Sequence, residues 1–228
     1  MSDTVESPPL EATEQSQMGP RLSRVRELVL TMGDEVDRAI SRATTGLVSR
    51  DVELCLAVIR EDARVNGLLR DVRELSFASL SDAPTPGELR EILGFMHMAS
   101  ELERMADHCA NIARIGSELA DLPPMGTYID LQQLAAACGE QLRQMLAALI
   151  ARDTARARAV AARDDRVNRI FHRVIDDLVQ VMTESGDLVY RGTKMVMASQ
   201  NFERLGDRVT NLAEDLIFLE TGRIEELG

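Results

Sequence analysis

Two stretches of the chain repeat one another: ERMADHCANIAR at 103–114 and ERLGDRVTNLAE at 203–214 share Glu, Arg, Asp, Asn and Ala at matching places, 100 residues apart. A long internal repeat means that one packed unit is built twice, so the chain must fold as two copies of whatever the first half can form. Upstream, Asp62-Ala63-Arg64-Val65-Asn66 matches Asp164-Asp165-Arg166-Val167-Asn168, and Arg50-Asp51 matches Arg152-Asp153, both at an offset of 102. The change of offset falls in a connection between helices, where length changes are tolerated.

The unit itself is helical. Leu22, Val25, Val29, Met32, Val36, Ile40, Ala43 and Leu47 recur at steps of three and four, one stripe of a long helix. A turn at Ser49-Arg50-Asp51 supplies good N-caps, and Leu56, Ile59, Val65, Leu68, Val72 and Leu75 carry a second helix to about Leu80. Thr85 as N-cap, Pro86 in the first helical position and Glu88 three residues after Thr85 form a capping box that opens a third helix, running to about Ala120. The predicted fold is all-α: two tandem three-helix bundles related by an internal repeat. The domains read as a mobile N-terminal arm over 1–20, a first bundle over 21–121, a linker over 122–128, a second bundle over 129–222 and a C-terminal tail over 223–228.

Composition agrees with helix over sheet, since aromatics are 3% of the 228 residues and Trp is absent. A net charge of −12 disfavours sequence-independent binding to nucleic acid or anionic lipid, which needs clustered cations. Cys55, Cys109 and Cys138 are odd in number and form no C-x-x-C pair, so they read as reduced core residues of a cytoplasmic protein. No apolar run approaches the roughly 20 residues that span a bilayer, and no signal-peptide pattern opens the chain. Phosphate-loop, dinucleotide-binding and nucleophile-elbow motifs do not occur.

On a helix, Glu103, Asp107 and Asn111 form one polar stripe, nearly opposite Leu102, Met105, Cys109 and Ile112, and Glu203, Asp207 and Asn211 repeat it opposite Phe202, Leu205, Val209 and Leu212. Two carboxylates one turn apart can share a hard cation, and Asp62 and Asp164 add an acidic step on a neighbouring helix of each unit. A single E-x-x-x-D usually solvates a surface or pairs with Arg; its repetition, with Arg next to the Glu and Asn eight residues on, is what gives it functional weight. Asn has poor helix propensity, so Asn111 and Asn211 need a reason, either metal ligation or hydrogen bonding across helices. A ferritin-like di-iron centre is unsupported, because His97, His108 and His172 lack a Glu three residues before them. His108 reads as a half-exposed helix residue, and methionines such as Met96 and Met195 as adaptable packing.

Leu102-Glu103-Arg104-Met105-Ala106-Asp107 with Asn111-Ile112-Ala113, repeated as Phe202-Glu203-Arg204-Leu205-Gly206-Asp207 with Asn211-Leu212-Ala213, resembles the PhoU family of phosphate-signalling proteins. The resemblance spans nearly the whole chain after about residue 20. It implies two tandem three-helix bundles and a cytosolic, non-enzymatic regulator that works with a phosphate ABC transporter ATPase and a sensor kinase to keep the phosphate-starvation response off. It further implies E/D-x-x-x-D motifs that in some members hold iron or zinc clusters, and a homodimer, for which the apolar face around Leu89, Leu93 and Met96 offers a surface. The family's motif glycine is kept at Gly206 and is Ala106 in the first copy. The second-helix motif commonly ends in Asp and here ends in Asn66 and Asn168, so a single weakly held divalent cation at Glu103, Asp107, Glu203, Asp207, Asp62 and Asp164, or none, fits better than a multinuclear cluster. The competing readings are a spectrin-like spacer, which would need only apolar seams, and a carboxylate-bridged metalloenzyme, which lacks His ligands and a paired general base.

Overall fold

The computed structural model describes residues 19–125 and 130–227. The expected arm therefore lies outside the described residues as far as residue 18, as do residues 126–129, which take in part of the expected linker.

Helix α1 (Pro20–Ser49) opens with a proline, whose missing N–H has no intrahelical partner to lose, and buries the stripe from Leu22 to Leu47. It stops where Arg50 turns into the left-handed region at φ 60°. Asp51 then caps α2 (Val52–Leu80), its Oδ1 accepting from Leu54 N at 2.9 Å. In the second unit Arg152, at φ 53°, ends α4 (Leu131–Ala151), and Asp153 caps α5 (Thr154–Ala161) by accepting from Arg156 N at 2.9 Å. The repeated Arg-Asp pair is thus a helix stop followed by a helix start. Helix α3 (Pro86–Leu119) carries the expected capping box: Glu88 N donates to Thr85 Oγ1 at 3.3 Å, and Thr85 N to Glu88 Oε2 at 2.8 Å.

The middle helix of the second unit departs from its partner. Where α2 is unbroken, α5 stops at Ala161 and α6 (Asp164–Glu184) begins after a two-residue turn. Arg163 N bonds to the Val160 carbonyl at 3.0 Å, three residues back instead of four, which tightens the chain through Ala162-Arg163. Asp164 and Asp165 then occupy the first turn of α6, where carboxylates meet the positive end of the helix dipole. A 3-10 turn (Gly186–Leu188) leads into α7 (Val189–Thr221), which ends at Gly222 with φ 70°. The segment expected as a tail folds back as far as Leu227: Glu225 pairs with Arg158 at 2.8 Å, and Leu227 N donates to Glu214 Oε1 at 2.9 Å.

Helices α1, α2 and α3 form one bundle, and α4, the broken α5–α6 rod and α7 form the second. The bundles join where α3 packs on α7 and α1 on α4. Both pairs run antiparallel, Gly94 meeting Leu219 while Glu118 meets Lys194, and Gly33 meeting Leu146 while Asp37 meets Arg143. At Gly33 a Cβ would stand 2.4 Å from Leu146 Cδ2, so the Leu146 side chain packs directly over the α1 backbone and a larger residue there would have to push it aside. One apolar core runs through both bundles, with Met32, Phe95, Leu102, Leu134, Phe202 and Leu205 each 2% exposed or less. Burial of such a side chain contributes roughly 1.5–3 kcal/mol. The three cysteines are free and buried within it. Among the described residues there is no strand, and no helix is long and apolar enough to cross a membrane.

Candidate functional site

Each bundle gathers the three carboxylates that the repeat singles out. Asp62 on α2 lies close to Asp107 and Glu103 on α3; Asp164 on α6 lies close to Asp207 and Glu203 on α7. Burial pushes Asp62 and Asp164 above the ordinary carboxylate range, and the facing charges of Asp107 and Asp207 push them further. Glu103 and Glu203 are raised for the same two reasons. The asparagines that replace acids in the second-helix motif are engaged one turn back: Asn66 Nδ2 donates to Asp62 Oδ2 at 3.0 Å, and Asn168 Nδ2 to Asp164 Oδ2 at 2.8 Å. In both copies the other oxygen, Oδ1, is buried and makes no hydrogen bond of ordinary geometry, although Gln141 faces Asp164 in the second copy.

The copies differ in what stands behind the aspartate. A Cβ on Gly206 would lie 2.7 Å from Asp164 Oδ1 and 3.3 Å from Val167 Cγ1, so Asp164 presses against the α7 backbone in space that Ala106 fills in the first bundle. Asp62 also lines a cleft of about 200 Å³ between α1 and α2, together with Glu35, Arg38, Arg42, Glu61 and Arg64. Glu35 Oε1 stands 2.8 Å from both Arg38 and Arg64, and Arg42 pairs with Glu61, so this cleft neutralises its own charges. Among the described residues no three His, Cys, Asp or Glu side chains stand in a ready metal-binding arrangement. The carboxylates of each cluster are close enough to repel and are not drawn together at one point.

The remaining polar groups form a seam between the bundles, along α3 and α7. Glu101, buried, accepts from Asn211 Nδ2 at 2.7 Å and from Arg208 at 3.0 Å. One hundred residues on, Asn201 occupies the equivalent place; its Oδ1 faces His108 Nδ1 at 3.0 Å and accepts from Asn111 Nδ2 at 3.5 Å. The contacts at 101, 208 and 211 are therefore repeated at 201, 108 and 111, as a pseudo-two-fold axis across the antiparallel pair requires, with a charged set on one side and a neutral set on the other. Of the two roles open for Asn111 and Asn211, hydrogen bonding across helices is the one these contacts serve. Burial lowers the pKa of His108, which is partly buried with its ring tied to Asn201. His97 Nδ1 meets both oxygens of Asp215 at 2.8 Å. Leu89 and Leu93 are exposed at the start of α3, whereas Met96 packs partly against the core.

Sequence reasoning did not single out Glu101, Asn201, Arg208 or Asp215. The signal was there in the seven-residue spacing of polar groups at 101 and 108 and at 201, 208 and 215, a stripe beside the acidic one. The repeat comparison passed over it because Glu101 and Asn201, or His108 and Arg208, are equivalent in place and unlike in type.

Two tandem three-helix bundles, each with an acidic cluster on its helix faces, define a duplicated helical-bundle protein. The chain belongs to the PhoU family: the PhoU domain matches residues 29–116 and again 131–216. It is 30% identical over 204 residues to the "Phosphate-specific transport system accessory protein PhoU homolog" of Aquifex aeolicus, a match that covers 89% of this chain and 92% of that one. The crystal structure of PhoU from Pseudomonas aeruginosa superposes with a TM-score of 0.86 at 26% identity, covering 91% of this chain and 100% of the other. That of the phosphate transport system regulatory protein PhoU from Streptococcus pneumoniae gives 0.82 at 25% identity, covering 92% and 100%.

Proposed function

We propose that the protein is a cytoplasmic accessory regulator of phosphate uptake and phosphate-starvation signalling. It acts as a negative regulator by binding the ATPase of a phosphate ABC transporter and a sensor histidine kinase, and it has no turnover of its own. The observation that carries this reading is likeness along nearly the full length to PhoU proteins described as accessory and regulatory proteins of phosphate transport systems. A net charge of −12 supports protein partners over nucleic acid. Titration of the full chain against the purified ATPase and against the cytosolic part of the kinase tests it by calorimetry. Saturable binding to each is expected; no heat from either at about 100 µM, where even weak regulatory contacts register, would remove the partner assignment.

The acidic clusters support a further part of the same reading, a weakly held divalent cation in each bundle. Glu103 and Asp107 with Asp62, and Glu203 and Asp207 with Asp164, are its ligands. The unpartnered Oδ1 atoms of Asp62 and Asp164 suit such an ion, which would relieve the repulsion that raises these carboxylates. An all-oxygen donor set favours hard ions over copper, and iron or zinc would be held loosely. Elemental analysis of protein purified without chelator tests the assignment: the Glu103→Ala, Glu203→Ala double variant should lose the metal, and metal kept unchanged would place the site elsewhere.

A further inference from the structure

The charged contacts along the α3–α7 seam are not all of one kind. At one end Lys194 pairs with Glu118 at 2.5 Å, an ammonium–carboxylate contact with no histidine in it. Near the other, just inside the Arg152–Glu91 pair at 2.6 Å, His97 Nδ1 sits 2.8 Å from both oxygens of Asp215, whose side chain is only 13% exposed. The repeat places Met197 and Ile115 opposite these two residues, so the pair has no counterpart across the pseudo-two-fold axis. Among the described residues it is the one histidine–carboxylate contact between the bundles.

We propose that His97 and Asp215 form a proton-operated latch between the two bundles: it holds α3 to α7 along the stretch between the Arg152–Glu91 clamp and the Glu101–Arg208 pair while the pair is protonated, and when the proton leaves that stretch loosens, with the Arg152–Glu91 and Lys194–Glu118 pairs still in place.

The charges facing the pair set its sense. Glu101 and Arg104 face it from α3, and Glu214 from α7. Glu101 is already committed to Arg208 at 3.0 Å and to Arg104 at 3.6 Å, so no spare cation takes over when His97 loses its charge. Deprotonation then leaves Asp215 ionised in a buried place beside two other acids, with a neutral imidazole as donor. Burial, with Glu101 and Glu214, lifts Asp215 to about 6 against the opposing pull of His97. Burial presses His97 down, and the hydrogen bond and charge of Asp215 outweigh it, leaving the imidazole above its ordinary value. Both groups are raised, so the folded pair keeps protons that the unfolded chain has released. Its contribution is whole in acid, begins to fall above about pH 4, where a free aspartate has titrated, and is lost once the pH has risen past the folded value of His97. His108 in mid-seam is shifted the other way by burial, so its titration has the opposite sense.

Hydrogen exchange of the full chain between about pH 5.5 and pH 8.5, corrected for the base catalysis of exchange itself, tests the latch. Protection of α3 and α7 around His97 and Asp215 should fall about tenfold across that range, and protection around Glu118 and Lys194 should hold. Asp215→Asn and His97→Gln should each flatten the fall, and His108→Gln should leave it in place. His97 is exposed, so its variant folds even where the Asp215 variant does not. An equal fall around Glu118 and Lys194, or a fall that persists in His97→Gln, would overturn the proposal.

Discussion

A carboxylate with one oxygen bonded and the other buried alone carries a cost in desolvation, and Asp62 and Asp164 both carry it. Because their pKa values are raised, the folded chain binds protons more tightly at these sites than the unfolded chain does. Stability therefore falls as pH rises from about 4 through the folded values. Asp164→Asn should gain on the parent as pH rises over that range, by about 1 kcal/mol or less given partial solvent screening, which urea denaturation at pH 4 and pH 7 would measure. Gly206→Ala tests the asymmetry of the clusters. The new Cβ must displace the Asp164 carboxylate 2.7 Å away, while helix propensity returns up to about 1 kcal/mol. Little net change in stability is expected, together with an Asp164 pKa that drops toward the ordinary range in a carboxyl ¹³C titration. The six carboxylates were legible because repetition marks them in the chain. The lone Oδ1 atoms were not, since they depend on how far α2 and α6 sink against the next helix.

At the scale of elements, the repeated Arg-Asp turn does two different jobs with one backbone. Arg50 and Arg152 both adopt positive φ, a conformation that costs a non-glycine residue roughly 1–2 kcal/mol. Arg50 donates to the Leu122 carbonyl, whereas Arg152 clamps Glu91 and Glu220, each at 2.6 Å. Glu91 is buried and its Oε2 already lacks a partner, so removing the guanidinium strands a charge. Arg152→Gly should cost about 3 kcal/mol despite relief at φ, and Arg50→Gly should be close to neutral. Denaturant midpoints of the two variants check the contrast. The helix starts were readable from Asp51, Thr85 and Pro86 because caps are local chemistry. The break at Ala162-Arg163 was not, because neither residue is a helix breaker and the seat for Asp164 is provided by Gly206, far along the chain.

For the whole molecule, antiparallel packing of α3 on α7 turns a sequence repeat into a pseudo-symmetric object, and what escaped the sequence is concentrated where the copies meet. Glu101 is polar and buried only because Arg208 and Asn211 reach it from the other bundle. The exposed Leu89 and Leu93 lie at the start of α3, beside the end of that seam and open to solvent. If they cover one another in a dimer, sedimentation should show self-association that weakens on dilution, and Leu93→Lys should leave a species of 25.2 kDa at all concentrations. A concentration-independent 25.2 kDa parent would exclude that surface. The central claim, that this member of the PhoU family restrains phosphate uptake and starvation signalling, is tested most directly by deleting its gene and following phosphate-starvation genes and phosphate uptake in phosphate-rich medium. The account predicts that both stay active and that the intact gene restores repression; a strain without any second copy that shuts both down as the parent does would contradict it.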